Sequence, residues 1–215
     1  SESSRLYEFL AWLEVNKRRV LFGAVALLGL IVAMYVLNWM AAQTERRANA
    51  ALLAIETDTA LNADQSVTGV DAFLQVAREY SSTGAGKRAL LLAATSLFAS
   101  DQYDAAQVQY EDFLRKNGNH PLAGSAALGV AACLDAQNKT DAALSSYQRY
   151  IDDYPTDAFV PRAKLAMAAI HELSNQPREA LNIYDELGKP QTYGAAAMEA
   201  MNRREQLLEK HPELA

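Results

Sequence analysis

The chain has 215 residues, 50% hydrophobic and 8% aromatic, enough to bury a sizeable core. Its formal net charge is −6, and a single cysteine excludes an internal disulfide framework. That residue, Cys133, reads as a small apolar side chain in an Ala-rich helix.

In residues 1–19, Leu6, Phe9, Leu10 and Leu13 fall at helical spacing. They predict an amphipathic helix beside a membrane, lying on lipid or docking a membrane partner. The next segment, Val20–Ala42, carries no charge, and Asn38 is its only strongly polar residue. As a helix it spans about 35 Å, enough to cross a bilayer with some tilt. Tyr35 and Trp39 lie near its end, where aromatic rings favour the interface. A cleaved signal peptide is the rival reading. The apolar run is long for one, and no small-x-small cleavage site follows it.

Lys17, Arg18 and Arg19 abut the start of this segment, with Arg5 further out, while Arg46 and Arg47 follow it. Four basic residues against two predict a cytoplasmic N-terminus and a large exterior domain. Residues 43–215 hold sixteen basic and twenty-three acidic side chains, a net of −7. Such a domain offers little to nucleic acid.

From Gln43 onward the pattern is all-α. No stretch sustains period-two alternation, and breakers recur at Gly84 and Gly86, Gly118 and Pro121, Pro155 and Pro161, and Gly188 and Pro190. They predict helices near 43–63, 67–80, 86–99, 102–116, 122–137, 140–153, 158–174, 177–187 and 192–210. Asp101 precedes one second helix and Thr140 with Asp141 precedes the next, where their oxygens are expected to cap free amides. Pro177 suits a first helical turn.

One spacing organises these helices. Ala106, Ala143 and Ala180 are each followed four residues later by Tyr110, Tyr147 and Tyr184, and the step between units is 37 residues. Ala94, Ala131 and Ala168 repeat at the same step. Small residues at fixed places let helices touch while the Tyr fills the space beside them, as in a stack of helical hairpins.

The strings DQYDAAQVQYEDFL (Asp101–Leu114), NKTDAALSSYQRYI (Asn138–Ile151) and NQPREALNIYDELG (Asn175–Gly188) resemble the second half of a tetratricopeptide repeat. Pro155 stands where that family commonly closes a unit. Phe113, Tyr150 and Leu187 depart from the small side chain it prefers three residues past the aromatic. Leu90, Ala127 and Lys164 stand where its first helix carries a large aromatic, and the 37-residue step exceeds the family's usual 34. The units are therefore read as divergent, near 86–117, 122–155 and 158–188. One step back, Gly69, Phe73 and Val76 mark a degenerate first unit near 43–80. One step forward predicts a capping helix, 192–210, that closes a repeat domain of 43–215.

At full length, a short tail, one anchor and an Ala-rich repeat domain resemble the bacterial YfgM-like family, with the WLEVNKRR run of Trp12–Arg19 leading into the anchor. The resemblance implies an ancillary subunit of the SecYEG translocon in the bacterial inner membrane. Its repeat domain would be periplasmic, in contact with the translocon and periplasmic chaperones.

Catalytic chemistry is not expected. Ser82–Arg88 lacks the phosphate-loop pattern, having Ser81 where Gly is needed and Arg88 where Ser or Thr is needed. His171 and Glu172 lack a zinc helix's second His. Ser125 has Ala123 and Ala127 where a nucleophile elbow needs glycines. Asn138-Lys139-Thr140 matches a glycosylation sequon, although Thr140 is better read as a cap. No metal, cofactor, nucleic acid or small-molecule substrate is expected.

On the tetratricopeptide register, Leu91, Leu128 and Leu165, with Thr95, Ala132 and Ala169 one turn on, fall on the concave face. They are either core or a groove for an extended apolar segment or partner helix. The leading expectation is a membrane-anchored interaction scaffold attached to protein export. A structural subunit of another envelope complex is the alternative, and a cryptic enzyme or enzyme accessory is the third.

Overall fold

Residues 30–61 contain neither Gly nor Pro, so nothing there interrupts a helix. In the computed structural model, α1 accordingly runs unbroken from Glu2 to Leu61, about 90 Å at 1.5 Å per residue. The structure describes residues 2–61, 66–189 and 194–214, with side chains for 11–57, 69–189 and 194–214. The side chains of Leu6, Phe9 and Leu10, residues 62–63 and 192–193, and Pro190 lie outside the described residues. The separate first repeat helix expected at 43–63 is instead the continuation of the apolar segment.

Along 20–42 the apolar side chains are exposed on every side of α1, from Phe22 to Trp39. Beyond that, one face is buried: Ala48 and Leu52 pack with Phe73, Val76 and Ala89. The chain then folds back and forth through α2 (Ser66–Glu79), α3 (Gly84–Ala99), α4 (Tyr103–Asn117), α5 (Ala123–Ala136), α6 (Thr140–Asp153), α7 (Val160–Leu173), α8 (Pro177–Leu187) and α9 (Ala195–Lys210). A single 3-10 turn, Pro212–Leu214, follows. No strand occurs among the described residues. The end of α1 pairs with α2, then α3 with α4, α5 with α6, and α7 with α8, and α9 stacks on α7 and α8.

Small residues set the stacking. Ala106, Ala143 and Ala180 are fully buried, as are Ala94, Ala131 and Ala168. A third Ala column, Ala89, Ala126, Ala163 and Ala200, is buried at the same step and extends into α9. Tyr110, Tyr147 and Tyr184 are buried beside them, and so are Phe113, Tyr150 and Leu187. The Tyr110 ring crosses to the next hairpin, where a Cβ on Gly129 would lie 2.6 Å from it. Gly86 is equally constrained, since a Cβ there would stand 2.0 Å from the Tyr80 carbonyl oxygen. In α9 the position equivalent to Ala94, Ala131 and Ala168 is Glu205, which is exposed. The carboxylate there meets water where the earlier units make a close helix contact.

The turns inside the hairpins correct the capping expectation. Asp101, Asn138 and Asn175, spaced by 37 residues, have φ of 59°, 58° and 55°. Each ends a first helix in the left-handed conformation that Asp and Asn tolerate best among residues bearing a Cβ. The following amides then reach back, Gln102 to Leu97 at 2.9 Å, Lys139 to Leu134 at 2.9 Å and Gln176 to His171 at 2.8 Å. The N-cap places therefore fall on Gln102, Lys139 and Gln176, whose side chains make no capping bond. Thr140 and Asp141 already lie inside α6, and the Asp101 carboxylate accepts from the Tyr103 hydroxyl instead. Pro177 does occupy a first-turn position, as does Pro161.

Candidate protein-binding groove

The hydroxyls of the signature tyrosines return to the first helix of their own hairpin. Tyr184 donates to Glu172 Oε1, and Tyr147 donates to Asp135 Oδ2 at a long 3.5 Å. Asp135 and Glu172 are one repeat apart, and the same column in the preceding unit holds Phe98. Tyr110 there pairs with Thr95 Oγ1 at 3.1 Å, one turn earlier on α3. Phe98 takes the place of the carboxylate there, half-buried with its ring edge-to-face against Tyr103.

A groove of about 710 Å³ opens at this place, between α3 and α7. Phe98, Tyr110, Leu128, Tyr147 and Phe159 give it an apolar lining, and Gly129, Ala132 and Ala166 keep its floor low. The charged side chains on it are Asp135 and Arg162. Burial raises the Asp135 carboxyl above its ordinary value, although the hydrogen bond from Tyr147 opposes this. Burial likewise pushes Tyr147 up, with the Asp135 charge adding to the shift and Arg162 opposing it. Burial raises Cys133, behind the groove, to about 11, so its thiol stays protonated and packs as a small apolar group. An apolar trough with a few polar groups accommodates an extended segment by shape and side-chain burial.

The profile of the tetratricopeptide repeat-like domain family matches residues 10–164. The chain belongs to that family. No curated protein matches it. Among solved structures, a kinesin light chain-related protein from Podosopora anserina with nearly identical tetratricopeptide-like repeats superposes with a TM-score of 0.61 at 11% identity. That match covers 78% of this chain and 87% of the other. The MamA RS-1 ArsTM double mutant superposes with a TM-score of 0.55 at 12% identity, covering 76% and 86%. At such identities the likeness is one of fold.

Within this tetratricopeptide-like domain the six expected groove residues separate. Thr95, Leu128 and Ala132 line the groove. Leu91 packs against the cluster of Ala94, Leu97 and Phe113, and Leu165 against that of Ala168 and Tyr184. Neither they nor Ala169 are part of its lining. Sequence reasoning missed Phe98, Asp135, Phe159 and Arg162. Phe98 and Asp135 share a repeat column that a 37-residue comparison exposes. Phe159 sits between α6 and α7, where no periodicity marks it.

Proposed function

We propose that this chain is a membrane-anchored interaction scaffold whose groove binds an extended apolar segment of a partner protein. The observation that carries the reading is the open, largely apolar trough at Phe98, Leu128 and Phe159 in a tetratricopeptide repeat-like domain. α1 supports the anchoring part, since it is long and apolar enough to cross a membrane and its apolar stretch is unburied. Anchoring raises the effective concentration of the groove near one membrane partner without adding contacts. Binding rather than catalysis is the activity we assign.

The resemblance to YfgM-like proteins supports the finer reading of an ancillary Sec translocon factor, linking that complex to periplasmic chaperones or clients. The N-terminus would then be cytoplasmic and residues 43–215 periplasmic. The basic bias before residue 20 favours that orientation. A photo-crosslinking side chain at Ser125, exposed on the groove, should capture a partner protein in cells. A second crosslinker at Trp12 should capture a translocon subunit. Crosslinks at Ser125 without any translocon subunit at Trp12 would retain the scaffold and exclude the Sec assignment. Added protease should digest residues 43–215 in spheroplasts, and protection of that domain would reverse the orientation.

A further inference from the structure

A polar contact joins α1 to the repeats at the foot of the apolar segment. Glu45 is three residues past Ala42, about 4.5 Å along the helix axis. Its carboxylate accepts from the Gly84 amide at 2.8 Å and the Ala85 amide at 3.1 Å, at the start of α3. Asn49 Nδ2 donates to the same carboxylate at 2.9 Å, and Arg88 donates to Asn49 Oδ1 at 2.6 Å. The α2–α3 turn is therefore held at the level of Glu45. Headgroups occupy several ångströms beyond each edge of a roughly 30 Å hydrocarbon core, so this turn falls within their layer.

A second cavity opens at that level. It has a volume of about 740 Å³ and lies between the end of α2, the start of α3 and the end of α4. Arg78, Lys87 and Lys116 line it, with the exposed hydroxyl-bearing residues Ser81 and Ser82. Its one carboxylate, Asp112, is already engaged by Lys116 at 2.7 Å and by Arg115. No ion pair among the described residues engages Arg78 or Lys87. With the bilayer edge at Ala42, a domain of net negative charge would turn a cationic, hydroxyl-lined cavity toward the bilayer.

We propose that this cavity binds the phosphate-bearing headgroup of an anionic phospholipid in the membrane that α1 crosses. The proposal rests on the membrane reading of α1. Arg78, Lys87 and the serine hydroxyls match the charge and acceptor oxygens of a phosphodiester, and the attraction is confined to a Debye length of the surface. Lipid engagement there would hold the repeat domain upright on its anchor, with Glu45 as the pivot.

The test uses the full chain in nanodiscs of phosphatidylcholine, alone or with phosphatidylglycerol, and reads amide hydrogen exchange over residues 78–88. Phosphatidylglycerol should slow exchange in this segment. In R78Q/K87Q, the phosphatidylglycerol fraction needed for half-maximal protection should rise roughly fivefold for each charge removed. R78K/K87R should retain the protection, which separates lost charge from lost folding. Equal exchange in both lipids would overturn the proposal. So would equal protection by inorganic phosphate over phosphatidylcholine, which would make the ligand a free anion. Failure of the chain to enter nanodiscs would instead remove the membrane reading, and the headgroup site with it.

Discussion

The two halves of α1 are one helix in two surroundings. Residues 20–42 are apolar around the whole circumference, and even Leu30, at their centre, is 64% exposed. Residues 43–57 are two-sided: Leu52 is 2% exposed while its neighbour Leu53 is 63% exposed. No glycine or proline marks the passage between them. Helix propensity therefore carries no information on where the apolar segment ends and the repeats begin. The distribution of side chains around the axis does, because a uniform apolar surface suits lipid and a stripe suits a protein neighbour.

Leu52→Ala should give the largest effect, destabilising the repeat domain by about 2–5 kcal/mol in urea unfolding followed by near-ultraviolet circular dichroism. Leu30→Ala, in the other half, should leave that transition where it is. Equal effects would dissolve the distinction. Leu30→Arg should oppose membrane insertion by about 3 kcal/mol, read as the fraction of chain resisting alkaline extraction. Ala48→Leu forces extra atoms into a fully buried contact with α2 and α3 and should cost about 1–3 kcal/mol of domain stability, with insertion unchanged.

Glu45→Gln should cost less, about 1 kcal/mol, because it weakens a cap rather than emptying a core. This site also has a pH signature. Burial pushes the Glu45 carboxyl up, but the amides of Gly84 and Ala85, Asn49 and the Arg88 charge outweigh it and hold the carboxyl below its ordinary value of 4.5. A lowered folded value means the stabilisation is fully present above pH 4.5 and is lost as pH falls through the folded value. The difference between wild type and Glu45→Gln should therefore shrink on acidification, while that for Leu52→Ala should not. Leu53→Arg is the smallest case, with both stability and insertion moving by no more than about 0.5 kcal/mol.

Much of the solenoid is legible in one dimension. The Ala and Tyr columns recur because each hairpin meets the next through the same close contact, so the same small and large residues are needed every 37 positions. Asp101, Asn138 and Asn175 carried an equally regular signal for the left-handed turns. Reading Asp101 as a helix cap placed it one residue out of register, since a turn of this length needs its positive-φ residue before the N-cap position. Half of the six expected groove residues do line it: Leu128, Thr95 and Ala132 follow from the register. Leu91 and Leu165 share that register and, like Leu128, pack against a core cluster, yet they lie outside the groove lining. Identical spacing places residues on one face of a helix, but the neighbour across from it differs from unit to unit.

The amino-acid sequence by itself determined the all-α character, the uncharged run long enough to cross a bilayer and the 37-residue period. These follow from local propensity and from side-chain spacing along single helices. Only the tertiary structure decided that Glu45 caps a helix 39 residues away, that the Tyr110 ring rests over Gly129, and that Phe159 joins Phe98 across a shared trough. Such pairings are set by how far each hairpin rotates on the one before it. That rotation emerges from all the packed contacts together, and no residue encodes it alone.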